Sequence, residues 1–303
     1  MRTAQIVLPR DRAAVPFPVL VGTFCFLWAS AFAAAKIGMA DSPPLLLLTM
    51  RFLLAGIVIL GAAVVTRTAW TLSWRDVLLF SVLGVVNQAI FLGLGYVGMY
   101  SIPSGLAALV VSANPVLTAV AAAWLLNEAM TWRKAAGLLL GVFGVAWVVE
   151  SHLAGGGVPL VGIAFIIAAL ISLVAGTLIF KMFAPAKGHW IGNGIQSVAA
   201  GVATLPFALG FENIGDIVPT WRLLMAVLYL ALFVSVLAYL LWFHMLTVSG
   251  ATAASSYHFI MPPLGLLFGW LLLGEHVAAI DLVGILPVAV GICLVTRAHG
   301  DPK

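Results

Sequence analysis

Stretches of about twenty apolar residues follow one another along almost the whole chain, each closed by a proline, a glycine or a few charged residues. Ten are legible, at 16–37, 44–66, 77–97, 103–126, 134–149, 160–183, 191–209, 221–245, 250–273 and 280–296. About 20 residues of helix cross the roughly 30 Å of a bilayer's hydrocarbon. The strands of a membrane barrel alternate polar and apolar residues over segments of about ten. These runs are continuous and twice as long, so they read as helices.

Composition closes the other routes. Of 303 residues 63% are hydrophobic and 8% charged, with a mean hydropathy of +1.18; an average soluble domain is about 25% charged. A soluble fold of this length leaves about a quarter of its unfolded-chain surface in water, and the polar residues to cover it are missing. That excludes a soluble enzyme, a nucleic-acid-binding domain and a disordered chain. The reading is an all-α integral membrane protein, one membrane domain over 1–303, with the lipid bilayer as its solvent and no nucleic acid as partner. Cys25 and Cys293 lie in apolar runs and read as packing residues rather than a disulfide.

Arg2, Arg10 and Arg12 precede an apolar run too long for a signal-peptide core of about 7–15 residues, so it reads as a retained first span. Basic residues then set orientation. With the N-terminus in the cytoplasm, eleven of the fourteen Lys and Arg fall on cytoplasmic segments, including Arg67, Arg75, Arg133, Lys134, Lys181, Lys187, Arg297 and Lys303. Asp41, Glu150, Glu212, Asp216, Glu275 and Asp281 fall at the opposite ends. Both termini are expected in the cytoplasm, which requires an even number of spans. With no targeting extension ahead of the first span, the expected location is a bacterial cytoplasmic (inner) membrane.

The chain repeats itself. The segment from Pro115 to Glu128 resembles that from Pro262 to Glu275 at a shift of 147; Gly137 and Gly144 fall on Gly284 and Gly291 at the same shift. Lys36 falls on Lys181 at 145 and Met99 on Met245 at 146. The two copies cover 16–150 and 158–297, five helices each. An odd number of spans puts the second copy upside down, giving two inverted five-helix repeats, an architecture of secondary transporters with the site near the midplane between halves.

These features carry a resemblance. Trp28 followed by Lys36, the Met50-Arg51-Phe52 triplet and the paired Pro…Glu segments make the chain similar to the drug/metabolite transporter superfamily, in its EamA branch, and within it to the YddG-type amino-acid exporters. The resemblance covers nearly the whole chain. The second half departs from the pattern: Gln196 stands where Arg51 would repeat, and Leu173 where Trp28 would. What the resemblance implies is export of small metabolites by alternating access.

Catalytic signatures are absent. Gly93-Leu-Gly-Tyr-Val-Gly98 has dinucleotide-loop spacing but ends a membrane helix rather than following a strand. No P-loop, H-E-x-x-H or G-x-S-x-G occurs, and the histidines lack metal-ligand spacing, so neither enzyme activity, cofactor nor metal is expected.

The candidate residues are polar or aromatic groups inside spans. Arg51 must face protein or water, because a centred arginine costs roughly 2.5–3.5 kcal/mol in a bilayer. It serves either a substrate carboxylate or backbone carbonyls and helix anchoring. Asn87 and Gln88 are adjacent mid-span amides that need partners or water. Ser235, Tyr239 and Trp242 recur on one helical face. Ser255, Ser256, Tyr257 and His258 precede a proline pair. With Trp28, Tyr96 and Asn114 they form the expected substrate pathway, a lining suited to neutral or zwitterionic ligands with apolar parts; interhelical hydrogen bonding uses the same residue types. Pro115, Pro262 and Pro263 fall mid-span, where a proline removes a backbone hydrogen bond, and are the candidate hinges. Lys36 and Lys181 are expected to snorkel, and Glu128 and Glu275 to act as N-terminal acids for the helices that follow them.

None of the ten acidic residues lies mid-span, so ion coupling through a carboxylate is not expected. The function expected is a secondary transporter, a uniporter or facilitator, exporting small metabolites, foremost amino acids (aromatic and other neutral ones). Alternatives are a lipophilic-cation multidrug exporter and, with only Arg51 to clamp phosphate, a nucleotide-sugar or phosphate-ester exchanger. Oligomeric state leaves no mark in the sequence.

Overall fold

The computed structural model describes residues 16–125, 131–154, 158–185, 187–277 and 279–297. Among them all regular structure is helical. In chain order we label α1 Phe17–Met39, α2 Pro44–Val65, α3 Trp74–Ser101, α4 Ser104–Leu125, α5 Trp132–Ala154, α6 Leu160–Phe183 and α7 His189–Phe211. Next comes α8, which covers Trp221–Val248 and stays helical to Ser256, then α9 Met261–Leu273 and α10 Ala279–Arg297. Among the described residues seven helices, α1–α4 and α6–α8, are long and apolar enough to cross a membrane; shorter apolar stretches lie in α5, α9 and α10.

Local chemistry explains most helix starts. Prolines at or just before the first turn open α1, α2, α4 and α6, where a missing N–H costs nothing. Ser73 and Asp76 form a reciprocal capping box on α3, and Thr220 caps α8 by accepting from the Leu223 N–H. Gly274, at φ 65°, ends α9 in the left-handed conformation that glycine adopts without strain. A break expected between 245 and 250 is not there: Tyr239–Ser256 is one helix, followed by a 3₁₀ turn at Tyr257–Ile260. The first half stops its corresponding helix with Pro103; Ser249-Gly250-Ala251 removes no backbone donor.

Burial is inside-out relative to a soluble protein. Ile57, Val64, Leu160, Phe207 and Leu286 point outward, while Arg51, Asn87, Gln88, Asn193 and Gln196 are buried. Apolar surface belongs against lipid, and polar groups must find each other within the bundle.

The halves pack reciprocally. Close pairs are α2 with α7 and α5 with α10; α3 lies along α6 as α1 lies along α8, and α4 meets α6 as α9 meets α1. Each pairing maps onto another, or onto itself, when every helix is exchanged for the one five places away. Glycines report the same exchange at atomic scale. A Cβ on Gly56 would meet Val198, and one on Gly201 would meet Leu53; both pairs are related by 145 residues. Both halves also interrupt the third helix with π-helix, at Gly84–Ile90 in α3 and Tyr229–Ala238 in α8. A shift of 147 carries 84–90 onto 231–237, inside the second π segment.

Candidate functional site

The α2 helix carries Arg51 into the bundle, where it is 1% exposed. Its Nε donates to Ser235 Oγ at 2.8 Å and its Nη1 to Tyr96 Oη at 2.8 Å. Thus α2, α3 and α8 meet at one guanidinium. No carboxylate among the described residues is bonded to it; an ion pair joins Arg222 to Asp41 at the acidic end of the bundle. Of the roles read for Arg51 from the sequence, helix anchoring is what these hydrogen bonds record, through two hydroxyls on α3 and α8 rather than through backbone carbonyls.

The π segments explain how neighbouring polar groups face inward. A π turn widens the helix and leaves carbonyls poorly engaged within it, a distortion frequent at functional sites. Here side chains take up those carbonyls: Tyr239 Oη donates to Asn87 O (3.4 Å), Ser172 Oγ to Val86 O (2.6 Å) and Asn193 Nδ2 to Ser235 O (2.9 Å).

Beside Arg51 stands a cluster of rings. Trp28 lies 5.1 Å from Tyr239 and 5.6 Å from His258, and Trp242 lies 4.9 Å from His258 and 5.6 Å from Phe24, measured between centroids. A cavity of about 30 Å³ touches Trp28, Phe32, Arg51, Phe91, Tyr96, Met99 and Tyr239. That is one water molecule's share of liquid, so in this conformation there is no room beside Arg51 for a substrate. A larger groove, about 1280 Å³, opens at the acidic end between α2, α3 and α7, with Asp41, Glu212 and Asp216 at its rim; Arg51 is not part of its lining.

The structure brings Trp28, Arg51, Asn87, Tyr96, Ser235, Tyr239, Trp242 and His258 into one connected region. It separates others. Asn114 is buried, and its Oδ1 accepts from Thr118 within α4. Tyr257 is half-buried against the Phe17 ring, and its carbonyl accepts from the Cys25 thiol. The side chains of Ser255, Ser256 and Cys293, and Glu128 altogether, lie outside the described residues. Residues not singled out from the sequence also belong here: Phe24 in the ring cluster, and Asn193, Gln196 and Ser197 on α7. Ser197 Oγ reaches Gln88 Oε1 at 3.5 Å. Asn87 Oδ1, Gln88 Nε2, Asn193 Oδ1 and both polar atoms of Gln196 are buried without a hydrogen-bond partner. The signal was present, since Gln196 occupies the repeat position of Arg51, but there it reads as a departure from the pattern.

Two readings are corrected. The prolines do not sit inside continuous helix: α4 breaks at Ser112–Ala113, and Pro115 falls in the first turn of Asn114–Leu125, as Pro262 and Pro263 do in α9. Each helix restarts where a proline's missing donor is harmless. Lys36 donates to the Ile102 carbonyl in the α3–α4 connection. Glu275 does not serve α10. It accepts from the N–H groups of Ser104 and Gly105 and from Ser104 Oγ, so it caps α4 in the other half. Glu212 likewise accepts from the Leu45 and Leu46 N–H groups at the start of α2.

Comparison with known proteins agrees with this architecture. The EamA-like transporter family matches the chain twice, at residues 18–150 and 160–297. The uncharacterized transporter YvbV of Bacillus subtilis is 27% identical over 98% of this chain and 95% of its own length. An S-adenosylmethionine/S-adenosylhomocysteine transporter of Chlamydia muridarum is 28% identical over 82% of each chain. Protein PecM of Dickeya dadantii is 27% identical over 86% of this chain and 85% of its own. A crystal structure superposes at a TM-score of 0.71 and 18% identity, covering 94% of this chain and 99% of that one; at that identity it speaks to the fold.

Proposed function

Because the chain belongs to the EamA-like transporter family of the drug/metabolite transporters, and so is a multi-pass membrane transporter, we propose that it carries neutral α-amino acids, foremost aromatic ones. Export through a bacterial cytoplasmic membrane is the direction proposed, by alternating access and as a uniporter. In this reading α1–α10 are ten spans, two inverted repeats with both termini in the cytoplasm. Trp28, Arg51, Asn87, Gln88, Tyr96, Asn114, Ser235, Tyr239, Trp242, Ser255, Ser256, Tyr257 and His258 form the pathway, and the breaks at Pro115 and Pro262-Pro263 act as hinges.

The observation that carries the reading is Arg51: a buried guanidinium that bonds two hydroxyls and no acid. A substrate carboxylate supplies the missing charge, and the rings of Trp28, Tyr239 and Trp242 offer an apolar surface to its side chain. A second reading is supported by the Chlamydia relative, whose name gives S-adenosylmethionine as its substrate. That molecule also ends in an α-amino carboxylate, and its sulfonium suits an aromatic cluster. A lipophilic cation without a carboxylate would instead be repelled by Arg51.

Counterflow in proteoliposomes tests this. Vesicles loaded with one unlabelled amino acid should draw in the labelled compound without a pH gradient. Arg51→Met should weaken apparent affinity roughly thirtyfold, about 2 kcal/mol for a charge-assisted bond. Equal counterflow by the variant sinks the carboxylate role. No exchange with any amino acid, from folded protein that exchanges S-adenosylmethionine, moves the assignment to the second reading.

A further inference from the structure

The buried amides of α3 and α7 are only partly satisfied in the conformation described. An unsatisfied buried polar group costs about 1–3 kcal/mol, and five such atoms on Asn87, Gln88, Asn193 and Gln196 occur together. The cavity beside Arg51 does not extend to them.

Reciprocal packing identifies what they correspond to. The 145-residue relation verified by Gly56 with Val198 and Gly201 with Leu53 carries Arg51 onto Gln196. Shifts of 145 to 147 all carry the π segment of α3 into that of α8, so Gln88 lies on the element that answers to Ser235's. The π segment of α8 lies against α2, and that of α3 against α7. A Cβ on Gly84 would collide with the Gln196 backbone, so these two elements are in intimate contact. The Arg51–Ser235 bond, from α2 to the π segment of α8, therefore has its counterpart between Gln196 and the π segment of α3, where Gln88 carries an unpaired N–H. The first is made here; in the second, Gln88 Nε2 and both Gln196 atoms are unpaired.

We propose that Gln88 and Gln196 are a state-specific pair. Their side-chain amides hydrogen-bond to one another in the alternate conformation, when the second repeat takes up the packing that the first has here. Two primary amides complement each other, each offering a carbonyl acceptor and N–H donors. The bond stabilises the opposite-facing state and the unpaired amides raise the energy of the present one, which offsets the Arg51–Ser235 bond made only here and brings the two states closer in energy. Gln88 and Gln196 are positioning residues in this role. The inference rests on the inverted-repeat, alternating-access reading.

The test places one cysteine at Met99, beside the small cavity, in full-length protein carrying Cys25→Ala and Cys293→Ala. Its labelling by a membrane-impermeant maleimide is followed from each face of the vesicle. Gln88→Leu and Gln196→Leu are each expected to shift accessibility toward the present state and slow counterflow about tenfold. The double variant should be no worse than either single one, since the second substitution removes a partner already lost. Leucine removes a partly unpaired buried amide and adds none, so folding is spared; methionine at the same positions serves as a second isostere. Additive effects of the two substitutions, or unchanged accessibility, overturn the pairing. Labelling of Met99→Cys from one face only, in protein with both glutamines intact, would instead refute alternating access itself.

Discussion

At the residue scale, Asp41 ties the α1–α2 connection to the start of α8. The Arg222 guanidinium and the Thr220 hydroxyl donate to its carboxylate, and the Asp41 carbonyl accepts from the Val218 N–H. The hydrogen bonds from Arg222 and Thr220 hold the Asp41 carboxyl down at about 2. A carboxyl whose pKa falls on folding contributes stability above its unfolded value, near 4, and loses it as pH drops through the folded value. The stability difference between the native protein and Asp41→Asn should therefore stay level from about pH 7 to pH 5 and vanish between about pH 4 and pH 2. Thermal unfolding in detergent across that range measures it; a difference already shrinking at pH 6 would contradict the tie. Asp41 was legible in the sequence only as an acidic loop residue. Its partners lie 179 and 181 positions away, and nothing local in either segment names the other.

At the scale of elements, the ends of the helices are sewn across the repeat boundary. Glu275, at the end of α9, satisfies backbone donors that α4 cannot satisfy for itself. Glu275→Ala should cost about 1–2 kcal/mol, the loss of a helix cap, and Glu275→Gln less, because one acceptor oxygen remains. Melting curves of the purified variants compare the two; equal losses would mean that charge rather than hydrogen bonding matters there. The sequence identifies Glu275 as a capping acid by its position after an apolar run but assigns it to the wrong helix. Capping statistics are local, whereas this cap is supplied from another repeat. The prolines follow the same logic. Pro115 and Pro262 mark a discontinuity in each half, and the structure places the break before the proline, where the helix can restart.

At the scale of the whole molecule, the described fold pairs each helix of one half with a counterpart in the other, and the family match falls on the same two halves. If both termini face the cytoplasm, a fluorescent protein fused after Lys303 should fold and fluoresce, and alkaline phosphatase fused there should stay inactive. The same two reporters placed at Asp216 should give the opposite result. Matching signals at both positions would break the ten-span count.

Hydropathy belongs to residues one by one, and a repeat belongs to their order. For that reason the membrane, the helices, the two halves and the missing mid-span acids could all be read before any folding was considered. Arg51, Asn87 and the aromatic residues could be picked out on the same basis, as groups that hydrocarbon does not tolerate alone. Which groups meet was decided by packing. Arg51 reaches Tyr96 and Ser235, 45 and 184 positions away. Those contacts depend on how each helix is rotated about its axis and on where π segments re-aim a side chain. Rotation is set by close approaches such as Gly84 against Gln196, summed over a whole interface, and no short stretch of sequence contains that sum.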